Sequence, residues 1–372
     1  MSSRLEEHWL QEALSKYCWS AQAEIWEFPF SWDVDRRRAM DTEDQRRKLS
    51  YGKLLISLGV SLALLWFVFR DVDLAQLLER IVSLELVFVL GALVGMVVVQ
   101  ALRAWRFAYL VRPIAPDAHQ ALIRIGHMGM FLIMFMPLRL GELARPYLMK
   151  RELAIPLTSG LGAAALERAL DGLCVALFFF VGIWSLDGTI DVPPLLYQAG
   201  WMTLGLFGSV LAVVIFSLVA QGQVEQILRF CFRPLPRGLQ EKLFSLYRGV
   251  IDGFRTLPDL QSAMTVVGST IVIWLMNALA FYSAIKAFGW SLGFASGLLL
   301  VCILVIAIMI PAGPGFLGTY QAAMTLGLGL WGISETDAAA YGLVVYPLSL
   351  LVVVAFGAFG FWSRPAAPPK LV

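Results

Sequence analysis

The sequence predicts an all-α polytopic membrane protein, a helix bundle with two broken or re-entrant hairpins related as an inverted repeat. Three observations carry that expectation. The 372-residue chain is 59% hydrophobic and 15% charged, with a mean hydropathy of +0.73; a soluble domain is about half apolar and about a quarter charged. Several apolar runs are long enough to cross ~30 Å of hydrocarbon as helices. Two of the apolar regions are interrupted by proline and glycine in a similar pattern, near Pro137–Gly141 and Pro311–Gly318.

Taken in order, residues 1–50 form a separate cytoplasmic segment. Leu5, Trp9, Ala13, Leu14 and Tyr17 recur at helical spacing, and Trp19, Trp26, Phe28, Phe30 and Trp32 follow them. That pattern fits an amphipathic helix and an aromatic surface strip, or an extension packed on the bundle. The segment lacks the apolar core of a cleavable signal peptide. Arg36, Arg37, Arg38, Arg46, Arg47, Lys48 and Lys53 then precede the first span, 54–69. The positive-inside rule therefore sets the N-terminus in the cytoplasm, and the membrane expected is a bacterial-type inner membrane.

The second span is expected at 86–102, with Arg103, Arg106 and Arg112 at its exit. The run 125–138 is only 14 residues long and has basic residues on both flanks, Arg124 before it and Arg139, Arg145, Lys150 and Arg151 after it. A re-entrant segment, entering and leaving on one side, satisfies both its length and its charge. Further spans are expected at 157–186, 200–220, 262–285 and 338–362, with an interrupted region at 292–330. Residues 221–261 form a basic cytoplasmic loop, and 364–372 a short cytoplasmic tail. The membrane domain thus covers 51–363.

The interrupted regions echo each other. Pro137 is followed by Gly141 and Pro311 by Gly315; Ala163–Ala165 and Ala338–Ala340 lie downstream of each. Gly313, Pro314, Gly318, Tyr320 and Gln321 complete the second motif. By the charge count the first hairpin enters from the cytoplasm and the second from outside. Broken, oppositely inserted elements characterise inverted-repeat transporters, with the site near the midplane. The physical reason is that a break frees backbone N–H and C=O groups, which lipid cannot satisfy. Two ordinary kinks are the plainer alternative.

Glu167, Arg168 and Asp171 stand inside an apolar run, where ionisable residues are costly and mark a site. Glu167 and Asp171 share a helix face, and Arg168 lies within pairing reach of Asp171. Arg139, Glu142 and Arg145 come from the first hairpin. These six charges balance, so they would close into a self-neutralising network or bind substrate. In the second reading arginine grips a phosphate, its planar fork offering paired donors, while the carboxylates orient it. Arg103 and Arg106 are assigned to collecting head groups at the cytoplasmic face, or to snorkelling there as positive-inside anchors. The four cysteines and three histidines lack metal-ligand or redox spacing, so no metal and no cofactor is expected. No catalytic or nucleotide-binding motif stands out, and neither an enzyme nor a nucleic-acid partner is expected.

In Pro137-Leu138-Arg139-Leu140-Gly141-Glu142-Leu143-Ala144-Arg145, in Glu167-Arg168-Ala169-Leu170-Asp171 and in the stretch from Pro311 to Gln321, the chain resembles the transmembrane region of lysylphosphatidylglycerol synthases, a flippase-like family. The resemblance runs over about 51–363. It implies a bundle with re-entrant helices and a role in moving or presenting lipid between leaflets. The synthases carry a soluble aminoacyl-transfer domain after this region; none follows here, so lipid aminoacylation is not expected. The functional expectation is translocation of an anionic phospholipid or polyprenyl-phosphate-linked lipid through a polar groove. The alternative is a non-catalytic subunit that docks a lipid- or glycan-modifying enzyme through 1–50 and 221–261.

Overall fold

The structure, a computed structural model, describes residues 66, 70, 72–186, 190, 192–254, 259–309 and 314–363. The chain divides into two compact units, 1–53 and 54–372, and the described residues belong to the second. The expected N-terminal segment and tail, and all of the expected first span but Trp66, lie outside the described residues.

The described residues are helical. A short helix, α1 (Leu74–Val82), opens them; the Asp73 carboxylate caps it by accepting from the Ala75 and Gln76 N–H groups. There follow α2 (Leu86–Val111), α3 (His119–Phe135), a 3₁₀ turn (Pro137–Leu143), α4 (Ala144–Leu153), α5 (Leu157–Trp184) and α6 (Pro194–Val219). Next come α7 (Gln221–Phe232), α8 (Arg237–Phe254), α9 (Leu260–Ala287) and α10 (Phe294–Ile308). A second 3₁₀ turn (Pro314–Phe316), α11 (Leu317–Gly329) and α12 (Glu335–Trp362) complete the described chain. Among the described residues α2, α6, α9 and α12 supply four helices long and apolar enough to cross a membrane. The 28-residue α5 matches them in length but carries the three interior charges.

Small residues let these helices approach. Gly95 of α2 lies so close to α9 that a Cβ there would stand 2.9 Å from the Ala280 methyl. One turn away the Ser283 hydroxyl donates to the Phe88 carbonyl at 3.0 Å. Close backbone contact and interhelical hydrogen bonds take over where lipid offers no hydrophobic drive for helix pairing. The apolar core falls into two clusters. One gathers Phe107–Val111 of α2 with α3, α4 and the first turns of α5; the other joins α2 near Ala92, α5 from Cys174 onward, and α9–α12. Along both α2 and α5 the charged positions lie between them.

Each hairpin folds back on itself: α3 packs against α4, α10 against α11, and the two 3₁₀ turns touch. The first turn is pressed against the end of α3. A Cβ on Gly141 would stand 2.3 Å from the Leu132 carbonyl oxygen and 2.4 Å from Ile133 Cα, so only glycine fits. In the second, Gly315 adopts φ +76° and its carbonyl accepts from the Tyr346 hydroxyl at 2.9 Å.

Three expectations are corrected. The second span continues through Arg103 and Arg106 to Val111, because carboxylates on α5 neutralise arginine inside the bundle. The apolar run expected at 125–138 is a helix that begins earlier, at His119, and ends at Phe135. The segment expected as a basic loop, 221–261, holds two amphipathic helices; α8 packs along α5.

Candidate functional site

Arg106 is the hub of the charged site. Its guanidinium spans the Asp171 carboxylate, Nη1 to Oδ1 at 2.7 Å and Nη2 to Oδ2 at 3.0 Å. Nη2 also reaches Glu167 Oε1 at 2.8 Å, and Nη1 donates to the Thr270 hydroxyl at 2.7 Å. This paired geometry is arginine's particular strength in low dielectric. The side chain is 1% exposed. The assignment of Arg106 to head-group collection or snorkelling at the face is therefore corrected. A carboxylate pair one helical turn apart draws it into the core.

The other oxygen of Glu167 accepts from Arg145 Nη1 at 2.6 Å. Arg145 is also buried, and its guanidinium lies 4.8 Å from the Phe107 ring centroid. The space exists because α3 carries Gly129 there; a Cβ would stand 2.0 Å from Arg145 Cγ. Asp171 Oδ1 further accepts from the Trp274 indole N–H at 3.1 Å. Both carboxylates of α5 are thus engaged from α2, with α4 and α9 each contributing further donors.

Arg168 is held more loosely. It lies 3.3 Å from Asp171 Oδ2, 3.7 Å from Glu167 Oε1 and 3.9 Å from Glu142 Oε2, and is 38% exposed. Arg103 lies over the Trp274 ring at 5.4 Å, with no carboxylate at ion-pair distance among the described residues. It is close enough to interact electrostatically with Asp171 and Arg168. Among the described side chains, four arginines, Arg103, Arg106, Arg145 and Arg168, thus stand beside three carboxylates, Glu142, Glu167 and Asp171. Arg106 and Arg145 are sealed, whereas Arg168 and Arg103 keep part of their surface exposed.

Of the expected site residues, the structure brings together Glu142, Arg145, Glu167, Arg168 and Asp171, with Arg106 and Arg103 added. Arg139 lies in the first 3₁₀ turn, as does Pro137, and the side chains of both are outside the described residues. Pro311 and Gly313 also fall outside them. Pro314 and Gly315 form the second turn; Gly318, Tyr320 and Gln321 are buried on α11. Among the described residues neither polar atom of the Gln321 side chain has a hydrogen-bond partner. Thr270 and Trp274 were not anticipated, although their spacing of four puts them on one face of α9. Among the described residues no three His, Cys, Asp or Glu side chains are grouped to hold a metal ion.

Residues 54–357 match the family model described as the lysylphosphatidylglycerol synthase TM region. The chain belongs to this family. Two archaeal relatives are named UPF0104 membrane proteins. One, from Methanothermobacter thermautotrophicus, is 24% identical over 278 residues, covering 70% of this chain and 78% of its own. The other, from Methanocaldococcus jannaschii, is 22% identical over 236 residues, covering 63% of this chain and 94% of its own. No solved structure gives a significant match. Membership and the apolar helices make this an integral membrane protein, in a family whose description ties it to phospholipid.

Proposed function

We propose that the protein moves an anionic lipid, a phospholipid or a polyprenyl-phosphate-linked lipid, between leaflets, its head group passing the arginine site. The observation that carries this is that the described side chains set four arginines beside three carboxylates, two of those arginines being incompletely buried. Arg168 is partly exposed and loosely paired, and Arg103 lies over an aromatic face with no carboxylate at ion-pair distance among the described residues. A phosphate arriving there would complete both guanidinium forks. A purely structural network gains nothing from an unpaired charge in low dielectric.

Two further features support the reading. The broken turns touch, as hairpins inserted from opposite faces would at a midplane site. Glu167 has both oxygens held by arginine, which suits it to orienting guanidinium groups. On the basic flanks, Arg36 to Lys53 at one end and Arg364 and Lys370 at the other, the reading sets both termini in the cytoplasm of an inner membrane.

The test is reconstitution into vesicles with fluorescent anionic lipids and a membrane-impermeant quencher. The expected result is leaflet exchange well above that of protein-free vesicles, sharply reduced by Arg168→Gln. Exchange no faster than in empty vesicles, across several anionic lipids, contradicts the reading.

A further inference from the structure

Only Ala220 separates the end of the membrane span α6, at Val219, from the start of α7, at Gln221. With α6 crossing a bilayer, as its length and apolar composition fit it to do, the first turn of α7 comes to the membrane boundary. At 100° per residue, the apolar side chains of α7 occupy somewhat more than half its circumference. One part of that arc faces protein: Val224 is buried, and Phe232 meets Phe244 of α8 edge to face at 5.6 Å. The rest is bare. Ile227 and Phe230 are 54% and 75% exposed, and Cys231 beside them is exposed as well.

The opposite face is charged. Arg229 pairs with Glu225 at 3.9 Å and covers the Phe244 ring at 4.9 Å, and Arg248 of α8 reaches Glu225 at 3.2 Å. Arg233 projects outward. Over 221–254 there are five basic residues and three acidic ones. A wide apolar arc, a basic rim and a start at the membrane boundary together describe an interfacial helix.

We propose that α7 and α8 form a hairpin seated in the membrane surface, with Ile227, Phe230 and Cys231 among the acyl chains and the rim arginines on anionic head groups. The occupant of the bare arc is lipid rather than a docked enzyme. A protein partner would require α7 to stand clear of a bilayer that begins one residue away. Basic residues at a leaflet rich in anionic lipid add attraction within a Debye length. Because α8 packs along α5, the seat is mechanically joined to the helix that carries Glu167, Arg168 and Asp171. The inference depends on membrane integration alone and stands apart from the transport reading.

The full chain, with Cys18→Ser, is labelled at Cys231 with an environment-sensitive fluorophore and placed in nanodiscs. A second version carries Cys231→Ser and Gln226→Cys, moving the label to the charged side of α7. We expect lipid-borne nitroxide to quench position 231 several-fold more than position 226, and aqueous iodide to do the reverse. Adding phosphatidylglycerol to zwitterionic discs should deepen the lipid quenching at 231, and Arg233→Gln should blunt that response. Equal iodide quenching at both positions overturns the proposal. Shielding of 231 from iodide and from nitroxide lipid alike, with a co-purifying protein present in stoichiometric amount, overturns it in favour of a docked partner.

Discussion

The two broken turns share a Pro-x-x-x-Gly pattern and touch each other, yet they are held by different forces. The first, Pro137–Leu143, presses Gly141 onto the backbone of α3 and leads directly into Arg145, which sits on Glu167. The second, Pro314–Phe316, bends through a left-handed Gly315 and accepts neutral hydrogen bonds from the Tyr346 hydroxyl at Gly315 and the Thr319 hydroxyl at Phe316. It leads into Tyr320 and Gln321, both buried and uncharged. The first turn leads into the charged site, and the second into buried neutral side chains. The same backbone device thus tolerates opposite chemistry, because what the break requires is satisfied peptide groups and close packing.

Substitutions that break this contrast should differ in size. The largest effect is expected from Arg106→Leu. It strands Glu167 and Asp171 without their chief partner, at a cost of about 3–5 kcal/mol, read as loss of folded protein in detergent or a collapsed thermal midpoint. Gly141→Ala comes next. Its new Cβ meets backbone atoms that cannot swing aside, so overpacking should cost about 1–3 kcal/mol or more. Gly315→Ala should cost less, about 1–2 kcal/mol for left-handed backbone, since its near neighbour is the Tyr346 hydroxyl, the end of a side chain. Thermal midpoints of the two glycine variants, compared side by side, check which turn is the rigid one; equal values would erase the distinction.

Arg168→Gln should change stability by less than ~1 kcal/mol, as a partly exposed, loosely paired arginine, while removing most leaflet exchange. Loss of both together would make Arg168 part of the scaffold. The smallest effect is expected outside both turns, at the start of α9. The Asp259 carboxylate accepts from the Ser262 N–H at 2.6 Å, and that bond lowers its pKa. Its contribution is complete at neutral pH and fades as the pH falls below about 4, through the folded-state pKa. A protection factor that falls in acid at the first turn of α9, relative to the intrinsic exchange rate at each pH, and does not fall in Asp259→Asn, checks it.

Much of the fold was legible because apolar runs of span length have few alternatives. Pro137, Gly141 and Gly315 announced their turns for a backbone reason visible in one dimension. The Glu167–Asp171 pair was legible from spacing on a single helix. Arg106 was misread because the partners that draw it inward lie on another helix, and a local rule assigns any arginine near the end of an apolar run to the interface. Helices α7 and α8 were missed as structure because their charges resemble those of a loop when only sign is counted; their apolar arcs emerge at helical period. Thr270 and Trp274 gave no sign of joining the site, since a threonine and a tryptophan in a span have many ordinary uses.

The central claim is that Arg168 and Arg103 hold the phosphate of a lipid head group. A cryo-EM map of the protein in nanodiscs rich in anionic lipid tests it most directly. The account predicts head-group density in contact with Arg168 and Arg103, between α2 and α5. Well-resolved side chains showing the arginines closed onto Glu142, Glu167 and Asp171, with lipid density confined to the outer surface of the bundle, would contradict it.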